Sequence, residues 1–363
     1  MDRGRQLKNQ ALTWVSGIAA LFGVVMLFWI LGQVFFQGLA SLTPYYLFTP
    51  ESKTPGIGQG ILNAIVGSIL LSLFATLLAT PFAFATAIYL RKYAPDNRLT
   101  RTIRFFIEVL SGTPSIVIGA FGFLVLVVYM YRYTGGFSLI AGSIALAILI
   151  LPVIERAIED AIATVPFELE EGSYAMGANK WQVIHTIILP TCMSGIVTGL
   201  ILGFGRAAEE SAVVILTAGY SQFMPEIGIK HQSKLAWGLK VYPLQDLIGT
   251  LPYAVYHAYE NSNLIPVSNA FACAFILICF VFLINLIARA VLHFNHKKGG
   301  RVSLSPSWLS RMRRVNGVAE PTGPTQPDLP LCPFRELERD LSEVGRVPVS
   351  GEVRTPENRG QGP

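Results

Sequence analysis

The sequence predicts an all-α membrane protein, a polytopic bundle of about six transmembrane helices, and two observations carry this prediction. Hydrophobic residues make up 52% of the 363 residues and charged residues only 14%, which is roughly half the charged share of a soluble globular domain. The apolar residues are also grouped in long blocks, and several blocks reach the ~20 residues that a helix needs to cross a bilayer. Because a soluble core would divide its apolar residues into shorter pieces, we expect the bilayer to be the main solvent of this chain.

Each long apolar block is a candidate span. The six blocks are Leu12–Phe36, Ile61–Leu90, Ser115–Tyr131, Phe137–Ile154, Cys192–Ala218 and Pro266–Leu292. The first is too long for the apolar core of a signal peptide and is followed by no clear small-residue cleavage site, so we expect it to be retained. The fourth is the weakest because it is near the lower length limit, and a re-entrant segment there would invert the orientation of everything after it.

The charges in the loops favour six spans with both termini in the cytoplasm. In that topology the outer loops carry five basic residues, namely Lys53, Arg132, Lys230, Lys234 and Lys240. The cytoplasmic segments carry sixteen, namely Arg3, Arg5, Lys8, Arg91, Lys92, Arg98, Arg101, Arg104, Arg156, Lys180, Lys297, Lys298, Arg301, Arg311, Arg313 and Arg314. An excess of Lys and Arg on the cytoplasmic side is what the positive-inside rule requires.

Three parts of the chain differ in composition. Residues 1–60 hold a short tail, the first span and an outer loop, residues 61–294 hold the other five spans as a core, and residues 295–363 form a proline-rich tail. Because the tail has few large apolar residues, we expect most of it to be disordered in the cytoplasm, with Trp308–Arg314 resting on acidic lipid. The outer segment Gly219–Ile265 is rich in aromatic residues, which predicts a hairpin or short helices at the headgroup level.

The sequence lacks the motifs for several other functions. The four cysteines, Cys192, Cys273, Cys279 and Cys332, have no paired spacing and the histidines are not clustered, so we expect no disulfide framework, metal or cofactor. The net charge of +5 is spread over loops without a basic patch, which argues against nucleic-acid binding. The sequence contains no G-x-x-x-x-G-K-[ST] loop, nucleophile elbow or H-E-x-x-H motif, so we expect a non-enzymatic chain whose energy, if used, comes from elsewhere.

The loop between the fourth and fifth predicted spans, residues 155–190, contains the most informative stretch, EGSYAMGANKWQVIHTIILP at Glu171–Pro190. Glu171–Met176 is predicted to be helical, Gly177 permits a turn or the close approach of another backbone, and Pro190 is expected to end the unit. The residues expected to form an apolar docking surface are Trp181, Ile184, Ile187 and Ile188. Such an element suits a transmission role under pressure from a soluble partner, although periodicity alone fits an ordinary interspan loop better.

This stretch resembles the cytoplasmic loop of ABC-importer permeases, in which a glutamate and two small residues precede a glycine and, after a fixed interval, isoleucine-x-leucine-proline. The matching positions are Glu171, Gly172, Ser173, Gly177, Ile187, Leu189 and Pro190. Gly172 and Ser173 stand where the family usually has alanines, which weakens the helix slightly but keeps the residues small. The resemblance implies a coupling helix that fits a cleft in an ATPase subunit, with contacts from Glu171, Gly177, Ala178, Trp181, Ile187 and Pro190.

A charged cluster lies in the fifth predicted span, at Gly205–Ser211. Arg206 is near the middle of Cys192–Ala218, too deep for easy snorkelling, where a charge is costly and usually functional. Glu209 and Glu210 follow by three and four residues, so both are expected to meet the arginine on one helix face. The cluster is either a structural ion pair that locks neighbouring helices or a substrate-pathway site for an oxyanion. In the second case the arginine binds anion oxygens and a carboxylate accepts a hydrogen bond from a protonated anion such as phosphate.

The cluster is similar to the corresponding span of phosphate permeases in the same superfamily, and the match covers Arg206, Ala207 and Glu210. Ser211 stands where a threonine is usual, and Glu209 replaces what is commonly a glycine. With both glutamates ionised the cluster would be net negative, so we expect one of them to be protonated or paired with a basic residue of another subunit.

Two further stretches fit the same family. LSGTPSIVIG at Leu110–Gly119 is similar to a serine-glycine-x-proline-serine segment of phosphate permeases, although by itself it predicts only a bend at a span boundary. LPYAVYHAYE at Leu251–Glu260 is similar to a segment of the A-type rather than the C-type phosphate permease subunit. The resemblance covers roughly residues 15 to 295 and excludes the tail.

The resemblance implies the A-type permease subunit of a phosphate ABC importer, multi-pass in a bacterial inner membrane, which moves phosphate by alternating access. The implied partners are a homologous C-type permease, two copies of an ATPase, an extracytoplasmic phosphate-binding protein and membrane lipid. The alternatives are a permease for sulfate or molybdate, the C-type phosphate subunit and, outside the family, an anion channel or secondary transporter. A membrane enzyme or scaffold is disfavoured because no nucleophile, metal cluster or paired acid and base faces a common site.

Overall fold

The computed structural model describes residues 3–54, 58–231 and 239–299, which are mostly helical. Its helices are α1 Arg3–Ser41, α2 Pro44–Phe48, α3 Leu62–Ile88, α4 Arg98–Gly112, α5 Ser115–Gly122, α6 Tyr131–Thr134, α7 Leu139–Ala163, α8 Phe167–Ala175, α9 Lys180–Val183, α10 Leu189–Glu209, α11 Ala212–Thr217, α12 Leu251–Glu260 and α13 Val267–Gly299. Three π-helical turns continue α3, α5 and α9, at Tyr89–Tyr93, Phe123–Tyr129 and Ile184–Ile188. Two short strands, β1 (Gly228–His231) and β2 (Leu239–Tyr242), pair antiparallel.

Within the described ranges, five helices are long and apolar enough to cross a membrane. They are Gln10–Ser41, Leu62–Tyr93, Leu139–Ala163, Lys180–Glu209 and Val267–Ile287. The number becomes six if α4 and Ser115–Tyr129, which are bent by 100° from one another, count as one broken span. The prediction of an all-α bundle with about six membrane helices is confirmed.

Two predicted span boundaries are wrong. They are the end of the fourth predicted span and the start of the fifth. The fourth predicted span, Phe137–Ile154, is part of the longer α7, which continues to Ala163. Its last turns carry Glu159, which pairs with Arg104 of α4. The fifth runs over Lys180–Glu209 instead of Cys192–Ala218, so Pro190 does not end the unit before it. A π-helical turn at Ile184–Ile188 comes directly before Pro190, and its wider hydrogen-bond spacing accommodates a residue that lacks an N–H.

The last helix, α13, continues to Gly299. Residues 295–299 of the predicted tail are therefore helical. The rest of the tail, including Trp308–Arg314, lies outside the described residues, as does Trp237 of the predicted outer segment.

Helix α7 lies at the centre of the core. Its fully buried side chains include Leu139, Leu146, Ile150, Ile154 and Ile158. The residues of α3 in the same core are alanines at every fourth position, Ala75, Ala79, Ala83 and Ala87. Glycines of α10 face α7 as well, and an added methyl group at Gly203 would come within 2.4 Å of Ile154. Small residues at these contacts let the helix backbones approach closely, which is a common mode of helix association in membranes.

One end of the bundle, called the hairpin end below, is formed by residues 43–54, 58–61, 219–231 and 239–266. A second apolar cluster lies here, formed by Tyr46, Ile61, Ala64, Leu251, Ala254, Ala272 and Cys273. The buried carboxylate of Glu51 accepts a hydrogen bond from the N–H of Gly58 at 2.8 Å and another from the hydroxyl of Tyr220. Burial, followed by this contact with Glu51, raises the pKa of Tyr220 above its ordinary value. The hydroxyl therefore remains a hydrogen-bond donor that ties the two segments together.

The opposite end, called the α8 end, is formed by residues 89–113 and 160–188. Glu170 of α8 is buried and forms an ion pair with Lys92, in the π-helical turn that follows α3. The ammonium group of Lys180 lies 4.8 Å from the ring centroid of Tyr93 in the same turn, a cation–π distance. These contacts join the segment between α7 and α10 to the end of α3.

Candidate functional site

The predicted coupling segment forms a short helix, a tight turn and the start of a long helix. Helix α8 ends at Ala175, and the backbone at Gly177 is left-handed, with φ of +82°. The N–H of Ala178 bonds to the carbonyl of Ser173 at 3.1 Å and the N–H of Gly177 bonds to that of Tyr174 at 2.9 Å. This pair of bonds is a Schellman motif, in which glycine is favoured because its positive φ carries no Cβ penalty.

The next helix begins at Lys180, with Asn179 as its N-cap. The side chain of Asn179 accepts a hydrogen bond from the N–H of Gln182 at 2.9 Å, and the Gln182 side chain accepts one from the N–H of Asn179 at 2.8 Å. This reciprocal capping box fixes the direction in which the chain enters Lys180–Glu209. An asparagine followed three residues later by a glutamine is the sequence signal for such a cap, and this signal could have predicted the start of the helix.

The surface around the turn is apolar and exposed. Trp181 is 61% exposed and stacks on His185, with ring centroids 6.3 Å apart. Met176 and Phe167 are also exposed, at 59% and 66%. Exposed apolar groups of this size at the tip of a bundle mark a contact surface.

The other predicted coupling residues differ in exposure. Glu171 and Pro190 are exposed, whereas Ala178 and Ile187 are half-buried. Ile184 and Ile188 are each only 1% exposed and belong to the core of the bundle. Their assignment to a docking surface is wrong because the long helix turns their side chains toward the core. The tie between Lys92 and Glu170 was not anticipated, since nothing in the local pattern of the sequence links two loops so far apart.

The predicted substrate cluster lies where α10 ends. The guanidinium of Arg206 is 2.9 Å from a carboxylate oxygen of Glu210, and a second oxygen of that carboxylate accepts the N–H of Ala212 at 3.2 Å. The Glu210 side chain is 5% exposed and that of Arg206 is 41% exposed. The pair therefore joins the last turn of α10 to the start of α11, with one partner buried and the other half open.

The expectation that both glutamates meet the arginine is wrong. Glu209 is exposed, and within the described ranges it has no hydrogen bond or ion pair. The helix ends at Glu209, and the extended backbone of Glu210, with ψ of 124°, carries the chain toward the bundle. Arg206 is accordingly in the last turn of its helix instead of the middle of a span.

The break nevertheless lies deep in the bundle. Helices α7 and α10 run antiparallel, and an added methyl group at Gly199 would lie 2.7 Å from Ala157, as one at Gly203 would lie against Ile154. Continuing this pairing by one turn places Arg206 level with Ile150, close to the midpoint of the 25-residue α7. Arg206 and Glu209 thus expose charge at mid-depth, where contact with lipid would cost several kcal/mol.

The stretch Leu110–Gly119 lies beside this break. Helix α4 ends at Gly112, and α5 starts at Ser115 after a bend. A methyl group at Gly119 would lie 3.1 Å from the carbonyl oxygen of Ala212, at the start of α11. Helix α5 and the start of α11, which are far apart in sequence, are therefore in backbone contact. No local pattern in the sequence predicts this contact.

No group of three or more His, Cys, Asp or Glu within residues 3–54, 58–231 and 239–299 is arranged to hold a metal ion. Cys192, Cys273 and Cys279 are free thiols, and Cys332 lies outside these ranges. The charged chemistry of the site thus rests on Arg206, Glu209 and Glu210. A guanidinium can bind an oxyanion through paired hydrogen bonds, and an exposed carboxylate can accept one from a protonated oxyanion.

The sequence is similar to that of a known protein family and of individual transport proteins. Residues 79–298 match the model of a family described as "binding-protein-dependent transport system inner membrane component". The phosphate transport system permease protein PstA of Pasteurella multocida is 32% identical over 289 residues, which cover 78% of this chain and 94% of that protein. The protein of the same name from Yersinia pestis is 34% identical over 297 residues, covering 81% and 92%.

A solved structure is similar at the level of the fold alone. It is a bacterial alginate ABC transporter in complex with an alginate-bound periplasmic protein. The similarity has a TM-score of 0.52 at 13% identity and covers 78% of this chain and 94% of the matched chain.

Proposed function

Because the chain belongs to the family of binding-protein-dependent transport system inner membrane components, we propose that it forms half of the translocation pathway of an ATP-driven phosphate importer. It is a non-catalytic, multi-pass inner-membrane permease subunit of the phosphate-import type. The proposal goes beyond family membership in three respects: the residues that line the pathway, the partner subunits and the orientation of the termini.

The half-open ion pair at mid-depth is the observation that carries the pathway assignment. Arg206 is 41% exposed although its partner Glu210 is 5% exposed, and exposed Glu209 lies beside them. Charge at that depth is not stable against lipid, so this face must be covered by something polar outside the chain. A water-filled path bounded by a second, homologous C-type permease meets that requirement.

The chemistry of the cluster fits phosphate better than sulfate or molybdate. Near neutral pH phosphate carries a proton through which it can donate a hydrogen bond, and the Glu209 carboxylate can accept that bond, since Glu210 is paired with Arg206. A fully ionised oxyanion has no proton to offer and would meet only the repulsion of the carboxylate. Arg206 and Glu209 together would therefore favour the protonated anion, with binding weak enough for release.

The coupling segment would transmit the ATPase cycle to the break. We assign the exposed surface of Phe167, Met176 and Trp181 to an ATPase subunit, of which two copies are expected, with the chain turning at Gly177. The tip is continuous with Lys180–Glu209, a helix that ends at the ion pair. A push on the tip would thus reach the pathway through one helix, which suits alternating access. In this arrangement the α8 end and both termini face the cytoplasm, and the hairpin end faces a phosphate-binding protein.

The substrate assignment is tested by uptake of radiolabelled phosphate in cells that lack this chain. Wild-type chain should restore uptake, and excess unlabelled phosphate should suppress it, whereas excess sulfate or molybdate should not. Unaltered phosphate uptake in the deletion strain, or equal suppression by sulfate, would retire phosphate as the substrate.

The coupling assignment needs a separate measurement, since a channel or secondary transporter requires no ATPase. An ATPase subunit should co-purify with the wild-type chain and be lost with Gly177→Asp. Absence of an ATPase from both preparations would contradict the proposal that the chain is part of an ATP-driven importer.

A further inference from the structure

The proposed transport function gives no role to helix α4, Arg98–Gly112. It connects the span that ends at Tyr93 with Ser115–Tyr129 and is bent by 100° from the latter. Ser115–Tyr129 runs with the bundle, since a methyl group at Gly122 would lie within 3.1 Å of both Ala145 of α7 and Thr217 of α11. A helix nearly perpendicular to that direction lies across the end of the bundle, parallel to the membrane plane.

The helix has two distinct faces. Its apolar residues recur at intervals of three and four positions, at Leu99, Ile103, Phe106, Ile107 and Leu110. Its charged residues, Arg98, Arg101, Arg104 and Glu108, lie on the other side, where exposed Phe105 and Val109 flank the direction of Arg98 and widen the exposed apolar surface. Leu99 and Phe106 are 57% and 59% exposed, so the bundle covers the apolar face only in part. A large apolar face opposite basic residues is the pattern of a helix that lies in the membrane interface.

The contacts of α4 fix its position and leave two arginines open. Arg104 is bound to the bundle through its two terminal guanidinium nitrogens, which donate to the two carboxylate oxygens of Glu159 at 2.9 and 3.3 Å. At the start of the helix, the side chain of Asn97 caps the N–H of Thr100 at 3.0 Å. Arg98 is exposed. Arg101 lies 3.7 Å from Asp96, and the side chains of this pair are 73% and 94% exposed. An ion pair so exposed is easily exchanged for another anion.

We propose that α4 rests on the surface of the membrane leaflet at the α8 end, with Leu99 and Phe106 among the acyl chains and Arg98 and Arg101 binding the phosphates of anionic phospholipids. The orientation across the bundle, the half-covered apolar face and the positive charge beside it all fit a lipid surface. A soluble protein partner would not require the helix to lie in the membrane plane. The inference rests on the chain being a membrane protein and is independent of the substrate that it carries.

The lipid contact is tested with the full chain, purified with the subunits that accompany it and reconstituted with phosphatidylglycerol and phosphatidylcholine. The number of phosphatidylglycerol molecules retained per chain in mild detergent is measured by native mass spectrometry. Since each basic residue near an anionic surface contributes about a fivefold preference, Arg98→Gln with Arg101→Gln should lower retention of phosphatidylglycerol up to about 30-fold. Arg132→Gln, an exposed arginine of α6, is the matched control and should change nothing. Equal retention by wild type and the double variant would overturn the proposal.

A second measurement addresses the apolar face. Spin labels are attached to cysteines placed at Phe106 or at Glu108, an exposed position on the side of the charged residues, in a chain whose other accessible cysteines are replaced. The Phe106 label should collide more with oxygen, and the Glu108 label more with a water-soluble nickel complex. Access of nickel to both labels would contradict burial in lipid, and so would a Phe106 label that neither reagent reaches, since that result would indicate a covering protein.

Discussion

The helical path of the chain is interrupted at both ends of the long helix Lys180–Glu209, and the two interruptions are stabilised in different ways. At the α8 end it turns at Gly177 in an exposed position, through a Schellman motif and a capping box made within a dozen residues. At the other end of the same helix it breaks at Glu210 in mid-bundle, where an ion pair with Arg206 and a hydrogen bond to Ala212 hold it. The first turn is closed by backbone groups and a polar cap, whereas at the second the buried carboxylate of Glu210 accepts the N–H of Ala212, so the second break depends on charged side chains.

The largest effect is expected from removing the buried carboxylate. Glu210→Leu leaves Arg206 without its partner at mid-depth, which typically destabilises a buried pair by about 3–5 kcal/mol, less here because the arginine is half exposed. We expect phosphate uptake to fall more than tenfold and the yield of folded chain to fall with it.

The double variant Arg206→Leu with Glu210→Leu separates stability from transport. An apolar pair of similar volume is often as stable as the ion pair that it replaces. Folded yield should recover while uptake stays lost. Recovery of both would make the pair a structural lock and nothing more.

At the exposed turn, the conformation of Gly177 is expected to matter more than the space around it. An added methyl group would meet nothing within 4 Å, but φ is +82°, which costs a β-branched residue roughly 1–3 kcal/mol. Gly177→Val should reduce ATPase co-purification severalfold, whereas Gly177→Asn, which tolerates this region, should retain most of it. Gly172→Ala is the control without effect. Equal losses with Val and Asn would shift the cause to side-chain bulk at the ATPase contact.

A smaller effect is expected from Glu209, which is exposed and unpaired among the described residues. Glu209→Gly removes an acceptor for the proton of phosphate and a charge that repels sulfate. The ratio of phosphate to sulfate inhibition of uptake should fall by about fivefold, the scale of one exposed charge-assisted hydrogen bond. An unchanged ratio, with uptake unchanged across pH, would remove Glu209 from anion handling.

The smallest effect is expected at the cap. Asn179→Ala removes one side of the capping box, which typically costs about 1 kcal/mol of local helix stability. Amides of Lys180–Val183 should exchange hydrogen about fivefold faster, with no change at α11. Faster exchange at α11 as well would show that the two interruptions are not independently held.

The sequence predicted well what depends on local chemistry. The membrane bundle follows from the apolar blocks, and the turn at Gly177 follows from a glycine placed between a helical stretch and Trp181. These features depend on spacing within a few residues. Pattern reasoning detects such spacing directly.

Features that depend on tertiary contacts were missed or displaced. Pro190 was read as a helix end because the π-helical turn that accommodates it leaves no mark in the sequence. Ile184 and Ile188 were placed on the surface because periodicity does not tell which face of a helix meets the bundle. The end of α10 at Glu209 depends on where Glu210 is buried, which is a property of the packed bundle.

The most direct test of the account is phosphate uptake by Arg206→Gln in an assembled complex. Glutamine keeps a polar, hydrogen-bonding side chain, although a shorter one, and removes the charge that faces the proposed path. We expect the variant to retain its ATPase subunit on purification, as wild type does, and to lose phosphate uptake by at least tenfold, as expected when a charged contact to an anion is removed. Wild-type uptake by this variant would contradict the assignment of the half-open ion pair to the phosphate pathway.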